Sequence, residues 1–220
     1  MKKRRPTRFS PQHSEEVQTT IRPIHNSQFI IHNSIRVGLG NDIHRLESGR
    51  KLILGGVRIP FKKGPVGHSD GDALAHAVCD ALLGAAALGD IGTHFPNSSP
   101  KWRNVSSLLF LRHTRKLLHQ AGYAIVNIDA TVGLEQPKLA PYIPRTRKKL
   151  ATALGIRVEQ ISVKAKTGEG VDAVGRGEAI RADAIALLAK VQMPRPLIRG
   201  TRDEPKAFGG RTRPLEGLGV

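Results

Sequence analysis

Two short stretches gather the side chains best suited to metal or phosphate chemistry: Asn41-Asp42-Ile43-His44, and His68-Ser69-Asp70-Gly71-Asp72 with His76 just beyond it. In an extended chain, residues two apart face the same way, so Asp42 and His44 set a carboxylate beside an imidazole, a metal-ligand pair in outline. In the second stretch, Ser69, an acid three residues on and then an Ala/Leu-rich run follow the order of a capping box, which predicts a helix starting near Asp70 or Gly71. His68 before that start and His76 in the second turn bring two imidazoles to one helix end. There the helix dipole and free amides favour an anion such as phosphate.

The elements around these residues follow from pattern. Ala73, Leu74, Ala77, Val78, Ala81, Leu82, Ala85 and Leu88 recur at three-four spacing, which predicts a small-residue helix able to pack closely on a sheet. Upstream, Ile35 to Gly40 alternates as a short strand leading into the Asp42-His44 pair, and Leu52 to Pro60 reads as two short strands meeting at Gly55-Gly56. Asp90 to Pro100 is a loop by composition. Ser106 to Gln120 has helical spacing and is closed by Ala121-Gly122. Tyr123 to Glu135 is the clearest strand, with Val126, Ile128, Ala130, Val132 and Leu134 on one face. Gln136 to Pro141 breaks the pattern, and a basic helix runs through Ile143 and Leu150 to Leu154 and Gly155. A strand at Ile161 to Lys166, a turn at Thr167-Gly168-Glu169-Gly170 and a last helix from about Glu178 to Lys190 complete the folded part. The expected fold class is α/β, a single-domain sandwich of one mixed sheet covered by helices.

Composition bounds the function. At 220 residues and 39% apolar content there is material for one real core plus tails. Residues 1–34 are expected to form a basic, disordered N-terminal extension, 35–190 the folded domain, and 191–220 a Pro/Gly/Arg-rich tail. The N-terminal stretch lacks an apolar h-region, and Glu15 and Glu16 speak against a transit peptide. No apolar run approaches the roughly 20 residues of a membrane span, so a soluble protein is expected. A bacterial cytoplasm is a better fit than a plastid stroma. The lone Cys79 excludes an intrachain disulfide and reads as a small buried side chain in a reducing compartment.

A net charge of +17 raises nucleic acid as a rival partner. The charge is spread, with the tails carrying +4 and +3 and the middle about +10. At 4% aromatic content, with no recognition motif in the basic regions, specific nucleic-acid binding has little support. Taken singly, the motifs are modest. An isolated Asp-x-His pair is usually solvated, a histidine on a small-residue helix is more often a satisfied interior group than a ligand, Asp70 and Asp72 suit a helix start, and Arg145, Arg147, Lys148 and Lys149 suit a solvated helix face.

Together they carry more. Gly40 to His44, His68 to Asp72, Asp80 to Gly92, Phe95-Pro96, Gln136-Pro137-Lys138 and Gly175-Arg176-Gly177-Glu178, in order from about Arg36 to Lys190, resemble the 2-C-methyl-D-erythritol 2,4-cyclodiphosphate synthase family of the non-mevalonate isoprenoid pathway. The resemblance implies a homotrimer with active sites between subunits. It also implies conversion of 4-diphosphocytidyl-2-C-methyl-D-erythritol 2-phosphate to the cyclic diphosphate and CMP. Asp42, His44 and His76 match the family's zinc ligands, and Glu169 the acid holding a second divalent cation, Mg2+ or Mn2+. His68 matches a group that assists the attack or stabilises the transition state, Ser69 a phosphate contact, and Thr167 the threonine that helps stabilise charge on the leaving group. Asp90, Ile91 and Gly92 match the erythritol loop, and Phe95, Pro96, Asn97, Ser98 and Ser99 the loop beyond it. Leu134, Glu135, Gln136, Pro137, Lys138, Leu139 and Ala140 match the cytidine segment, with Lys138 toward the phosphate end. Arg176 completes the set. The chain departs from the pattern at Lys166, where many members have threonine, and at Asp172-Ala173, where they have glycine-phenylalanine. The first change offers a cation near the leaving group. The second removes the basis for expecting an isoprenoid phosphate at the trimer axis. A pseudoenzyme that keeps zinc and phosphate binding but has lost turnover is the remaining alternative.

Overall fold

A computed structural model describes residues 35–191 of the chain. The expectations for 1–34 and for the tail beyond 191 lie outside these residues. Strand β1 (Ile35–Ser48) runs well past the predicted Gly40 and carries both Asp42 and His44. A hairpin of β2 (Leu52–Leu54) and β3 (Val57–Ile59) turns at Gly55-Gly56, as the pattern predicts. Then come β4 (Lys63–Pro65), α1 (Ala73–Ala85), the short α2 (Ile91–His94) inside the predicted loop, and α3 (Leu108–Gln120). Strand β5 (Tyr123–Gly133), α4 (Ile143–Leu154), β6 (Ile161–Lys166) and β7 (Ala179–Lys190) complete the fold.

The main sheet has the order β4-β1-β7-β5-β6, with β5 and β6 parallel and the other pairs antiparallel, so it is mixed. Segment 179–190 is therefore not the last helix that its Ala and Leu content predicts but the central strand. Its even-numbered residues Ile180, Ala182, Ala184, Ala186 and Leu188 are all buried, which is the period of a strand. The alternation is hidden in the sequence because Ile185, Leu187 and Ala189, on the opposite face, are apolar too. Pairing with β1 over eleven positions and with β5 over ten overrides the local helix preference. Strand β5 follows its predicted face through Ile128, Ala130 and Val132, but an irregularity between Ile125 and Asn127 releases Val126 to solvent.

Helix α1 lies across β1 and β7 and buries almost its whole surface, from Ala73 and Leu74 to Leu83 and Ala85. Gly38 and Gly40 make this approach possible: a Cβ on Gly40 would lie 2.1 Å from the Ala77 carbonyl oxygen and 2.4 Å from the Ala81 nitrogen. The helix starts at Ala73, later than the Asp70 or Gly71 predicted, and its cap is Asp72 rather than Ser69. Gly71 has φ +71°, a left-handed conformation that a helix cannot use. The buried Asp72 carboxylate accepts Ala75 N–H at 3.1 Å and the turn amides of Gly55 and Gly56 at 2.9 and 2.7 Å, tying the hairpin to the start of α1. The basic face of α4 is only partly solvated. Arg147 donates to the Ile161 and Val158 carbonyls and Lys149 to that of Gly56.

Candidate metal centre

Alternation along β1 turns Gly38, Gly40, Asp42 and His44 to the α1 side of the sheet. Because α1 rests against the two glycines, its second turn delivers His76 to the same point. His44 Nε2 is 2.8 Å from Asp42 Oδ2, His76 Nδ1 is 2.9 Å from the same oxygen, and the two ring nitrogens are 3.3 Å apart.

The outward nitrogens fix the tautomers. His44 Nδ1 lies 2.7 Å from the Val66 carbonyl, which can only accept, so Nδ1 carries the hydrogen and Nε2 presents a lone pair. His76 Nε2 lies 2.9 Å from Ser107 Oγ and 3.1 Å from Ser69 Oγ. The Ser107 hydroxyl donates to Asp70 Oδ1 at 2.5 Å, so its oxygen accepts from Nε2–H, leaving His76 Nδ1 bare. Three electron-pair donors thus converge with no hydrogen of their own between them, and only a cation reconciles them.

Burial opposes charge on Asp42, but the two imidazoles of His44 and His76 beside it outweigh burial and hold the carboxyl far below its ordinary range. Burial likewise works against a charged His44, and the Asp42 hydrogen bond and charge overcome it and raise its pKa. The donor set also fits a metal. One carboxylate oxygen and two imidazole nitrogens are a common zinc set, and tetrahedral bonds of about 2.0 Å require donors about 3.3 Å apart, close to the spacings found. Both second nitrogens are already engaged, as metal-bound histidines usually are.

A cavity of about 240 Å³ opens at this cluster. Asp42, His44, His68, Ser69 and His76 line one side, and Ile91, Gly92, Phe95 and Asn97 another. Phe95 and Phe110 stack with centroids 4.5 Å apart, Trp102 meets Phe95 edge-on at 5.1 Å, and Phe110 lies 6.0 Å from the His76 ring, giving an apolar wall. A second recess of about 460 Å³ shares His68 and Asn97 and adds Ser98, Ser99, Arg50 and Arg103. His68 is exposed at the junction of the two. Ser69 is nearly buried, and its hydroxyl is spent on Ser107, His76 and the Gly71 amide rather than on open space. Asp90 caps α2 through the amide and hydroxyl of Thr93, so of the erythritol-loop residues only Ile91 and Gly92 line the cavity. Pro96 is exposed between Phe95 and Asn97.

The remaining candidates form a separate cluster at the ends of β5 and β6. Leu134 N–H donates to the Lys166 carbonyl at 2.9 Å, and Glu135 accepts the Gly168 amide at 2.9 Å. The Thr167 hydroxyl donates to Glu169. Leu134 and Leu139 are buried, Gln136, Lys138 and Ala140 are exposed, and the Gln136-Pro137 peptide is cis. Arg176 pairs with Glu178 at 3.2 Å. Asp172 accepts the Val174 and Gly175 amides at 2.8 and 2.9 Å and shapes the turn before β7. None of these residues lines the metal cavity. In strand order β6 lies three strands from β1, about 14 Å at sheet spacing. Lys166 has the parity of the exposed Ser162 and Lys164, on the face away from Asp42.

Sequence pattern alone does not point to Asp70 and Ser107 behind His76, or to Trp102 and Phe110 in the wall. Ser106-Ser107 ahead of a leucine-rich run reads only as a helix start, and the separation of 31 positions between His76 and Ser107 leaves no local signal.

The fold and site together define an α/β protein with a metal-competent Asp/His/His cluster at the contact of a strand and a helix. The chain belongs to the YgbB family, whose model matches residues 35–189. It is 53% identical over 157 residues to a 2-C-methyl-D-erythritol 2,4-cyclodiphosphate synthase from Chloroherpeton thalassium, covering 71% of this chain and 100% of that protein. The synthase of the same name from Solibacter usitatus is 54% identical over 158 residues, covering 72% and 99%. Among solved structures, that of a Plasmodium falciparum IspF in complex with CDP superposes with a TM-score of 0.65 at 37% identity, covering 73% of this chain and 99% of that one.

Proposed function

We propose that this chain is a 2-C-methyl-D-erythritol 2,4-cyclodiphosphate synthase. It would convert 4-diphosphocytidyl-2-C-methyl-D-erythritol 2-phosphate to the 2,4-cyclodiphosphate with release of CMP. The observation that carries the reading is the convergence of three bare donor atoms, from Asp42, His44 and His76, on a cavity at the strand–helix contact. In this reaction an oxygen of the substrate's 2-phosphate forms a bond to the β-phosphorus while the bond from that phosphorus to the CMP oxygen breaks, CMP taking the electron pair. The protein supplies no nucleophile, so positioning and charge neutralisation carry the rate.

Asp42, His44 and His76 would hold zinc, which when bound supplies a fixed positive charge for a phosphate oxygen. His68, exposed beside both recesses, suits the attacking phosphate. Thr167 and Glu169, hydrogen-bonded to each other, suit the leaving side, with Glu169 holding a second, oxygen-bound cation, Mg2+ or Mn2+. The 134–140 segment, Lys166 and Arg176 would complete the nucleotide side. Since these groups lie away from the cavity of their own chain, a homotrimer in which a neighbouring copy supplies them is the consistent assembly. The sheet face opposite the helices supports it: Val37, Leu39, Ile43 and Ile185 are 66, 67, 59 and 51% exposed, more apolar surface than a monomer normally leaves bare. In this reading 35–190 is the catalytic domain and the flanking segments are tails. Among the described residues no helix is long and apolar enough to cross a membrane, in keeping with a cytoplasmic enzyme.

The test is CMP release from the diphosphocytidyl substrate, with and without a zinc chelator, by the wild-type chain and His76→Ala. Loss of release in both the chelated and the substituted protein is expected. Zinc bound without CMP release from the wild type identifies a pseudoenzyme, and normal cyclisation by His76→Ala refutes the ligand assignment.

A further inference from the structure

A histidine offers either ring nitrogen to a metal, so something must keep Nδ1 of His76 turned inward and bare. Asp70 takes the Ser107 backbone N–H at Oδ2, 3.1 Å, and the Ser107 hydroxyl at Oδ1, 2.5 Å, so one carboxylate grips both donors of that residue. With its proton committed to Asp70, the hydroxyl can meet His76 Nε2 only as an acceptor. Ser69, 3.1 Å from Ser107 Oγ, fits as a second donor to that oxygen. The segments bearing these residues are joined by backbone bonds, Asn104 N–H to the His68 carbonyl at 2.8 Å and Asp70 N–H to that of Val105 at 3.1 Å.

Ser107 is fully buried, and although it occupies the N-cap position of α3, its side chain makes no capping bond. Among the described residues its hydroxyl meets only Asp70, Ser69 and His76. We infer that Asp70 and Ser107 are a positioning pair, relaying a carboxylate's pull through a hydroxyl to hold His76 in the tautomer and ring orientation that binds zinc. The inference rests on the metal-binding reading above. Groups that orient a metal-bound histidine typically change metal affinity about 10- to 100-fold when removed.

The experiment is zinc affinity of the full-length chain, measured by competition with a chromogenic chelator for the wild type, Ser107→Ala, Asp70→Asn and the double variant, with metal-free unfolding in urea alongside. Ser107→Ala should weaken zinc binding about 10- to 100-fold; it should also lower the urea midpoint of the metal-free chain, since the buried hydroxyl's bonds to Asp70, Ser69 and His76 are lost. Because Asp70 acts through Ser107, the double variant should bind zinc no more weakly than Ser107→Ala alone, whereas independent effects multiply. A Ser107→Ala affinity within threefold of wild type, or losses that multiply, overturns the relay. If Ser107→Ala does not fold, Asp70→Asn decides: unchanged zinc affinity refutes the inference, and a loss of several-fold that Ser107→Thr does not share upholds it. A wild-type chain that binds no zinc sinks the metal-binding reading itself, a result distinct from wild-type binding that Ser107→Ala retains.

Discussion

Gly40→Ala tests whether the strand–helix contact builds the site. The new Cβ would lie 2.1 Å from the Ala77 carbonyl oxygen, 2.4 Å from the Ala81 nitrogen and 2.9 Å from the Asp80 Cβ. Two of these are backbone atoms in the middle of α1, so no rotamer change relieves the clash. Reaching ordinary contact near 3.5 Å from 2.1 Å requires the helix to move off β1 by roughly 1.4 Å. Overpacking of this kind costs about 1–3 kcal/mol. His76 precedes Ala77 on the displaced helix, while Asp42 and His44 stay on the strand, so the donors separate by a similar amount. Metal sites tolerate about 0.2 Å in ligand distance, and a 1 Å misplacement can cost about 100-fold in rate. Gly40→Ala should therefore lower urea stability by about 3 kcal/mol, weaken zinc binding and slow CMP release about 100-fold. Gly84→Ala is the internal control. It lies on the exposed side of the same helix with nothing within 4 Å of a new Cβ, and should be neutral or stabilise by up to about 1 kcal/mol. A Gly40→Ala protein as stable and as zinc-replete as wild type refutes the claim that this contact sets the site.

Burial, and then the neighbouring Asp70 charge, push the Asp72 carboxyl from 3.8 up to about 6, although three backbone amides oppose them. The folded chain then binds this proton more tightly than the unfolded one. The stabilisation is complete below about pH 4 and is lost as pH rises through about 6, a span worth about 3 kcal/mol. The difference in unfolding free energy between wild type and Asp72→Asn should shift against wild type over that range; a difference that stays flat with pH would falsify the assignment. Burial also drives the Cys79 thiol far above its ordinary pKa, so it should resist a disulfide reagent in the native protein and react once unfolded in denaturant. Rapid modification of native protein contradicts that placement. Leu39→Glu, on the uncovered sheet face, should leave the chain folded but shift it from trimer to monomer in sedimentation and abolish CMP release. A monomeric wild type with full activity rules out the shared-site assembly.

Several local features were legible because short-range rules decide them. The facing of Asp42 and His44 follows from strand periodicity, which longer β1 pairing only extended. The Gly55-Gly56 hairpin turn, the Gly155 stop of α4 with φ +65° and the buried Cys79 follow from turn chemistry and hydrophobic spacing. The start of α1 was misplaced because Ser69 in a cap-like sequence competes for two partners. Gly71 takes a left-handed turn and Ser69 joins His76 and Ser107, so Asp72 is left to cap.

Where the element type is legible, as for Asp42 and His44 on β1 or the buried residues of α1, the sequence by itself determines which residues share a face, since those relations span two to four residues and depend on backbone geometry alone. The tertiary structure decided which faces meet. Residues 179–190 are a central strand because two long partners pair with them, and His76 reaches Asp42 and His44, 34 and 32 positions away in the chain, because two glycines admit a helix backbone against the sheet. Ser107 and Asp70 join behind His76 for the same reason: contacts across such separations are chosen by packing and polar satisfaction of the whole chain, and leave no period in the sequence to read.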